Sequence, residues 1–240
     1  MKIFSYLVVV LVLFHAENVH SALIHHYTFD SDTSDSAGTA NGVLVNGATV
    51  SGGRLVLDGV NDYVQFGSFI VPTSGDYSVS FFAESSSVQT LYTEMISQGF
   101  SGGGFYIGQT AVAVSASRVI RVSDFWINTT VPHPVDLMQH HFAVTVGASS
   151  TSLYIDGSFA ASFASPVYSH PTLGTNTRLG TQFSTFNEFF HGTLDDVRIY
   201  DNTLTADEVL NIASIPEPGS LGLLGAGLLG FAFARGRKAA

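Results

Sequence analysis

Six oxygen-bearing side chains are of the types that bind a hard metal ion. Calcium takes about six to eight oxygen ligands from carboxylates, amides and carbonyls, and such groups collect where loops meet. The candidates occur early, in the middle and late in the chain: Asp30, Asp58, Asn61, Asp62, Asp195 and Asp196. We therefore predict a calcium site. The alternative is that Asp58 and Asn61 are turn residues that bond their own backbone, and that Asp195 and Asp196 are solvated charges at a strand edge.

A glycosidase would need a different acidic arrangement. Its two carboxylates flank the scissile bond about 5 to 9 Å apart, which residues alternating along one strand can provide. Glu94 and Glu188 have no acidic companion at such a spacing, and we interpret both as surface charges. The sequence thus favours binding over catalysis, and we predict that the protein is not an enzyme.

Two pairs of adjacent histidines, His25-His26 and His140-His141, invite a zinc interpretation. Neighbouring side chains on a strand point to opposite faces of the sheet. Neither pair can therefore hold one ion from a regular strand, and we predict no zinc site.

Aromatic side chains in two loop-like segments have the chemistry to stack on sugar rings. Carbohydrate sites combine exposed aromatic rings with amide or carboxylate partners. Trp126 is the only tryptophan, and Phe186 and Asn187 lie shortly before the last predicted strand. We predict these three residues as ligand-binding. The alternative is burial, since most phenylalanines of a β-sandwich are in its core.

Charged residues are scarce and mostly acidic. Between residues 22 and 215 the chain has five arginines, no lysine and seventeen carboxylates, which gives a net charge of about −12. Such a surface repels phosphate, so we expect no nucleic-acid partner. The chain has no cysteine, which excludes disulfides and cysteine-based metal or nucleophile sites.

Residues 1–21 are predicted to be a signal peptide. Lys2 precedes a mostly apolar run from Ile3 to Phe14, and Val19 and Ser21 occupy the positions that a signal peptidase reads. A run of this length is short for a membrane span. We therefore expect export and cleavage after Ser21.

Short runs rich in Val, Phe, Tyr and Thr, broken by turn residues about every eight to twelve positions, predict an all-β sandwich. The Asp156-Gly157 dipeptide predicts a two-residue hairpin turn. Residues 204–212 are predicted as a short closing helix with Thr205 as its N-cap. The predicted strands are 25–29, 42–45, 54–57, 63–66, 77–82, 94–98, 105–107, 112–114, 141–146, 152–155, 159–163, 177–179 and 193–200.

Three consecutive stretches carry a resemblance to a known fold. They are HHYTFDSDTSDSAGTANGVLVNGATVSGGRLVLDGVNDYVQF, MQHHFAVTVGASSTSLYIDGSFAAS and FHGTLDDVRIYDNTLTADEVLNIA. Residues 22–213 resemble the laminin-G-like, concanavalin A-like jelly rolls, which include the pentraxins. The resemblance implies an antiparallel β-sandwich with His141 in a structural position. It leaves function open, because such folds serve lectins, adhesion modules, enzymes and structural parts. The acidic triplets of the concanavalin-like glucanases do not occur in this sequence.

The resemblance implies two arrangements for calcium. In one, a structural ion joins the first and last strands and recruits Asp30 with Asp195 or Asp196. In the other, typical of pentraxins, the Asn61-Asp62 loop holds calcium that also bridges the ligand. The later acidic run of the pentraxins has no counterpart here, which favours the structural ion.

The C-terminal residues 214–240 resemble the PEP-CTERM sorting signal of Gram-negative bacteria. An apolar stretch, 219–234, is predicted as a short transmembrane helix of roughly 24 Å. Basic residues after it favour an orientation that leaves the β domain outside the inner membrane. The resemblance implies that the apolar stretch anchors the chain transiently in the inner membrane, and that exosortase then cleaves near the Pro-Glu-Pro (PEP) motif. The predicted sorting residues are Pro216, Glu217, Pro218, Arg235, Arg237 and Lys238.

Together these features predict an exported, exosortase-sorted protein of the cell surface or extracellular matrix. Its jelly roll is expected to bind exopolysaccharide, another glycan or a matrix protein, as an adhesion module. The alternative is a structural matrix component that binds protein partners or itself, and a glycosidase is the third possibility.

Overall fold

The computed structural model describes residues 22–86, 89, 92–99, 105–111, 118–122, 128–134, 136–164, 168, 176–182 and 188–214. Within them the chain forms fifteen strands and one helix. The strands are β1 Leu23–Tyr27, β2 Val43–Val45, β3 Thr49–Ser51, β4 Arg54–Asp58, β5 Tyr63–Gln65, β6 Tyr77–Ser85, β7 Tyr92–Gln98, β8 Phe105–Ala111, β9 Arg118–Val122, β10 Asn128–Pro132, β11 Gln139–Gly147, β12 Ser150–Ile155, β13 Ser158–Phe163, β14 Thr177–Leu179 and β15 His191–Tyr200, and the helix is α1 Ala206–Ala213.

Two antiparallel sheets face each other, as the predicted sandwich requires. The first sheet has the order β13-β12-β11-β6-β15-β4-β3, and β1 pairs with the C-terminal half of β15. The second has the order β10-β9-β8-β7-β14-β5-β2. Strands distant in sequence are neighbours in both sheets. In particular, β1 and β15, the first and last strands of the domain, lie side by side.

One continuous core fills the space between the sheets. Alternate residues of each strand point inward because the side-chain period of a strand is two. Val64, Leu179 and Ile96 come from the second sheet, and Phe81 and Phe142 come from the first and stack with ring centroids 5.5 Å apart. At about 25 cal/mol per Å² of apolar surface, such burial is the main force that holds the sheets together.

A second, smaller apolar cluster lies on the outer face of the first sheet. Helix α1 contributes Val209 and packs it with Ala143, Tyr154 and Tyr200 of the sheet. The helix begins with a capping box, in which Thr205 accepts from the Glu208 N–H and the Glu208 side chain accepts from Thr205. The predicted N-cap is therefore confirmed, and the helix runs from 206 to 213 rather than from 204 to 212.

The predicted all-β sandwich is confirmed, with three local corrections. Strands β3, β9 and β10 were not predicted. The predicted hairpin is confirmed: Asp156 and Gly157 have φ values of 49° and 75° between β12 and β13. The predicted strand 112–114, the signal peptide and the C-terminal segment 215–240 lie outside the described residues.

Within the part of the chain that the structure describes, no helix has both the length and the apolar character to cross a bilayer.

Candidate binding surface

Three polar side chains contact one another on the outer face of the second sheet. Val64 and Leu179 face the core, so Tyr63, Gln65 and Arg178 face outward by the strand alternation. The guanidinium carbon of Arg178 lies 4.4 Å from the centre of the Tyr63 ring, and its Nε donates to Gln65 Oε1 at 2.8 Å. All three are partly exposed. We call them the Tyr63–Arg178 platform.

The environment of Arg178 fixes its orientation. Burial holds the pKa of its guanidinium below the usual value, although the nearby Tyr63 acts in the opposite direction. Its Nη1 also donates to the carbonyl oxygen of Gln182 at 3.3 Å. A stacked and doubly hydrogen-bonded guanidinium loses little rotamer freedom when it binds a ligand.

The loop that carries the predicted residues Phe186 and Asn187 begins and ends beside this platform. Its two ends are joined by a backbone hydrogen bond from Phe190 N–H to the Gly180 carbonyl at 2.8 Å. A second link is the side-chain hydrogen bond that Gln182 donates to Glu188. Residues 183–187 themselves lie outside the described residues.

Glu94 and Glu188, interpreted above as surface charges, are both buried. The Glu94 N–H donates to the Glu188 carbonyl at 3.2 Å, so strand β7 and the end of this loop meet there. Gly108 on β8 makes room for the Glu94 carboxylate, because a Cβ at Gly108 would lie 2.3 Å from Glu94 Oε2. The surface-charge interpretation was wrong because it took no account of strands packed from elsewhere in the sequence.

The predicted calcium residues of the middle group shape a tight loop before β5. Asp58 Oδ1 accepts from the Val60 N–H at 2.8 Å and from the Asn61 N–H at 3.4 Å. Asp62 is buried and accepts from the N–H groups of Gly47 at 2.7 Å and Asp58 at 3.1 Å. These hydrogen bonds leave carboxylate lone pairs free, since each carboxylate has about four acceptor positions.

The late group lies at a bulge in β15. Asp196 has a φ of 51°, and the register with β6 shifts between Asp195 and Arg198. Asp196 Oδ1 lies 2.5 Å from His26 Nε2 on β1, and its Oδ2 lies 2.6 Å from Arg198 Nη2. Asp195 is buried and Asp30 is exposed. The first and last strands are thus joined directly by a histidine–aspartate contact, and the cationic Arg198 opposes a metal ion at Asp196.

Among the described residues, no group of three or more His, Asp or Glu side chains has an arrangement that could hold a metal ion. The adjacent histidines have separate partners: His25 lies 2.6 Å from Asp35 and His26 contacts Asp196. His140 lies between Asp136 and Asp156, and the buried His141 lies 2.8 Å from Ser80 Oγ. Calcium binding stays a prediction. The 58–62 loop is the better candidate of the two groups, because the contacts described above give its carboxylates backbone N–H partners, whereas Asp196 contacts the cationic Arg198.

Asp35 is a structurally important carboxylate that the sequence reasoning missed. Besides the His25 ring, it accepts hydrogen bonds from four backbone N–H groups, those of His26, Ala37, Gly38 and Ala40. Burial raises the pKa of Asp35, but the His25 and backbone hydrogen bonds outweigh it, and the pKa lies below its usual value. Asp35 begins the sequence Asp-Ser-Ala-Gly, which has the composition of an ordinary turn. The sequence therefore indicated a turn here but not a carboxylate with five hydrogen-bond partners.

Several predicted residues fall outside the described residues. These are Trp126, Phe186 and Asn187 of the predicted ligand site and Pro216, Glu217, Pro218, Arg235, Arg237 and Lys238 of the sorting signal.

Two family models match the sequence. The model of the concanavalin A-like lectin/glucanases superfamily matches residues 58–210. The model of the PEP-CTERM protein-sorting motif matches residues 214–238. No curated protein matches the chain.

Several solved structures share the fold. Domain 4 of the arabinanase AbnA from Geobacillus stearothermophilus, in complex with arabinotriose, has a TM-score of 0.66 and 22% identity over 81% of this chain and 99% of that one. The binding domain of Paraclostridial Mosquitocidal Protein 1 has a TM-score of 0.63 and 16% identity over 80% of this chain and 52% of that one. Trypanosoma rangeli sialidase in complex with sialic acid has a TM-score of 0.62 and 15% identity over 80% of this chain and 32% of that one. At these identities the likeness concerns the fold alone.

Proposed function

The chain belongs to the concanavalin A-like lectin/glucanases superfamily and ends in a PEP-CTERM sorting motif, and from this we propose that it is an exported surface or matrix protein that binds carbohydrate. Its jelly roll acts by binding rather than by catalysis. The ligand is an exopolysaccharide or another glycan of the extracellular matrix, and the role is adhesion.

The Tyr63–Arg178 platform is the observation that carries this proposal. An aromatic ring offers an apolar face to the C–H side of a sugar, a guanidinium donates hydrogen bonds to its hydroxyls, and an amide both donates to and accepts from them. The platform has these groups on a rigid sheet, and the loop with Phe186 and Asn187 starts beside it. The similar arabinanase domain was solved with arabinotriose, which supports a glycan as the ligand class.

The sorting motif accounts for the route to the surface. The signal peptide starts export, and the apolar stretch 219–234 with its basic end halts the chain in the inner membrane. Exosortase is the partner that recognises Pro216, Glu217 and Pro218 and releases or transfers the domain.

Glycan-array binding of residues 22–214 tests the carbohydrate proposal, with matrix polysaccharide included. The Arg178→Met variant should weaken binding about tenfold to a hundredfold, as expected for hydrogen bonds to a charged group. Arg54→Met is the matched control, because Arg54 is also half-buried and hydrogen-bonded but lies on the outer face of the other sheet. Absence of saturable binding by the folded wild-type domain, or equal losses in both variants, contradicts the proposal. Sugar release during the assay would instead reveal a glycosidase.

A structural matrix role is the second candidate. The edge strand β2 exposes Val43 and Leu44, which is the kind of edge that pairs with another chain. Self-association that rises with concentration in sedimentation experiments, without glycan binding, would favour this candidate.

A further inference from the structure

Among the residues that the structure describes, the larger exposed apolar side chains divide between opposite edges of the domain. Val43, Leu44 and Val60 lie at the end where β2 to β5 meet. The others, Leu137, Met138, Phe159 and Leu210, surround the turn between β12 and β13. We call this second group the turn patch, and sheet order places it at the β13 edge of the first sheet.

Contacts of the Asp156-Gly157 turn hold the turn patch together. Asp156 Oδ2 lies 2.7 Å from His140 Nδ1, two residues after Met138. Gly157 lies under the helix, because a Cβ there would be 2.8 Å from Leu210 Cδ1 and 3.3 Å from Ala213 Cβ. Phe159 follows two residues later, with its ring edge-on to Tyr154 at 5.8 Å.

The chain leaves the domain within the turn patch. Ser214 caps α1 directly after Ala213, the residue that contacts the turn. The apolar stretch of the sorting signal begins at Gly219, five residues on, which extends to at most about 18 Å. A headgroup layer takes about 6 Å of that length. Whenever this stretch is in a bilayer, the patch must therefore lie close to the membrane surface.

Charge is partly compensated at the turn patch. His140 lies between two carboxylates, with Nε2 3.0 Å from Asp136 Oδ1 and Nδ1 2.7 Å from Asp156 Oδ2. The domain as a whole is acidic, with a net charge of about −12 between residues 22 and 215. Contact with lipid there would be driven by apolar burial rather than by attraction to anionic headgroups.

We propose that the turn patch of Leu137, Met138, Phe159 and Leu210 is a membrane-contact surface that rests on the lipid bilayer while the sorting signal anchors the chain. This inference rests on the anchoring step of the proposed function. It assigns the domain one orientation at the membrane, with the β2 edge directed away from the bilayer. The Tyr63–Arg178 platform, next to β2 in the second sheet, then stays open to ligand during anchoring.

Single labelled cysteines test this directly, because the chain has no cysteine of its own. The chain from residue 22 to 240 is reconstituted in phosphatidylcholine vesicles, with a fluorophore at Met138→Cys, Phe159→Cys or the control Val43→Cys. Met138 is 63% exposed and Val43 is 62% exposed, so the two positions are matched in free solvent access. Ala226→Cys reports insertion of the apolar stretch.

The expected result is several-fold stronger quenching by brominated lipid, and weaker quenching by iodide, at residues 138 and 159 than at residue 43. Equal quenching at all three positions with residue 226 in lipid overturns the contact surface alone. Shielding from iodide without lipid quenching means that a protein covers the patch, which also overturns it. If residue 226 stays in water, the anchoring step fails and the contact surface fails with it.

Discussion

Leu210 of helix α1 lies directly on Gly157 of the β12–β13 turn. A Cβ at Gly157 would be 2.8 Å from Leu210 Cδ1 and 3.0 Å from its Cα. Gly157 also has a φ of 75°, in the region that side chains disfavour. One glycine therefore serves both the hairpin and the docking of the helix, and it joins the first sheet to the point where the chain leaves the domain.

The Gly157→Ala variant should be less stable than the wild type by about 2 to 4 kcal/mol, because it adds backbone strain and forces the helix away from the turn. Urea unfolding of residues 22–214 measures the loss. Gly75→Ala is the control, since Gly75 has a φ of 77° with nothing within 4 Å. It should cost only about 1 kcal/mol. Equal losses in the two variants would mean that helix contact adds nothing.

His141 should make the domain less stable in mild acid. Burial and the nearby Arg198 lower its pKa to about 4, against the partly opposing charges of Asp156 and Asp196. Between pH 6.5 and 4 the unfolded chain binds a proton that the folded chain does not, so stability falls as the pH drops. The loss approaches about 3 kcal/mol. Urea unfolding at pH 7 and pH 5 should reveal it, and a His141→Gln variant should lose less over the same range.

The neighbouring His140 should have the opposite effect on stability, because its pKa is raised rather than lowered. Burial lowers the pKa of His140, but hydrogen bonds and charges of Asp156 and Asp136 outweigh it and raise the pKa above 6.5. Its stabilising contribution is complete below pH 6.5 and is lost as the pH rises through the folded value. Two-dimensional NMR titration should give separate midpoints, above 6.5 for His140 and near 4 for His141. A common midpoint near 6.5 would contradict the described contacts.

Asp35→Asn should destabilise the domain by about 2 to 4 kcal/mol, because an amide cannot accept from the backbone N–H groups around it and from His25 with both atoms. The lowered pKa of Asp35 adds a pH dependence: its contribution is present above the unfolded value and is lost as the pH falls through the folded one. Asp32→Asn is the matched control in the same loop, since the exposed Asp32 Oδ1 accepts from the Ser34 N–H at 2.8 Å. Thermal unfolding of both variants at pH 7 measures the difference.

Calcium, if the 58–62 loop binds it, should raise the melting temperature of the domain relative to EDTA. At a hundredfold excess over Kd the stabilisation is about 2.7 kcal/mol. Asp58→Asn should abolish that increase, whereas Asp76→Asn, in an exposed loop before β6, should not. An identical melting temperature in calcium and EDTA would exclude the predicted site.

Local features were predicted correctly because neighbouring residues decide them. The Asp156-Gly157 turn and the Thr205 cap depend on side chains within a few positions, and both are confirmed. Features that depend on distant strands were missed or misread. Glu94 is buried because β8, β14 and the segment at Glu188 pack around it from elsewhere in the chain.

The sequence by itself determined the β-sandwich class, because strand periodicity is read within a few residues, and its resemblance to known families indicated the superfamily and the sorting motif. Only the tertiary structure decided which residues from distant parts of the chain meet. It set Tyr63 beside Arg178, His26 beside Asp196 and Gly157 beneath Leu210, pairs that are 53 to 170 residues apart in the chain. The physical reason is that pairing between distant strands follows from packing of the whole core, which no local pattern contains.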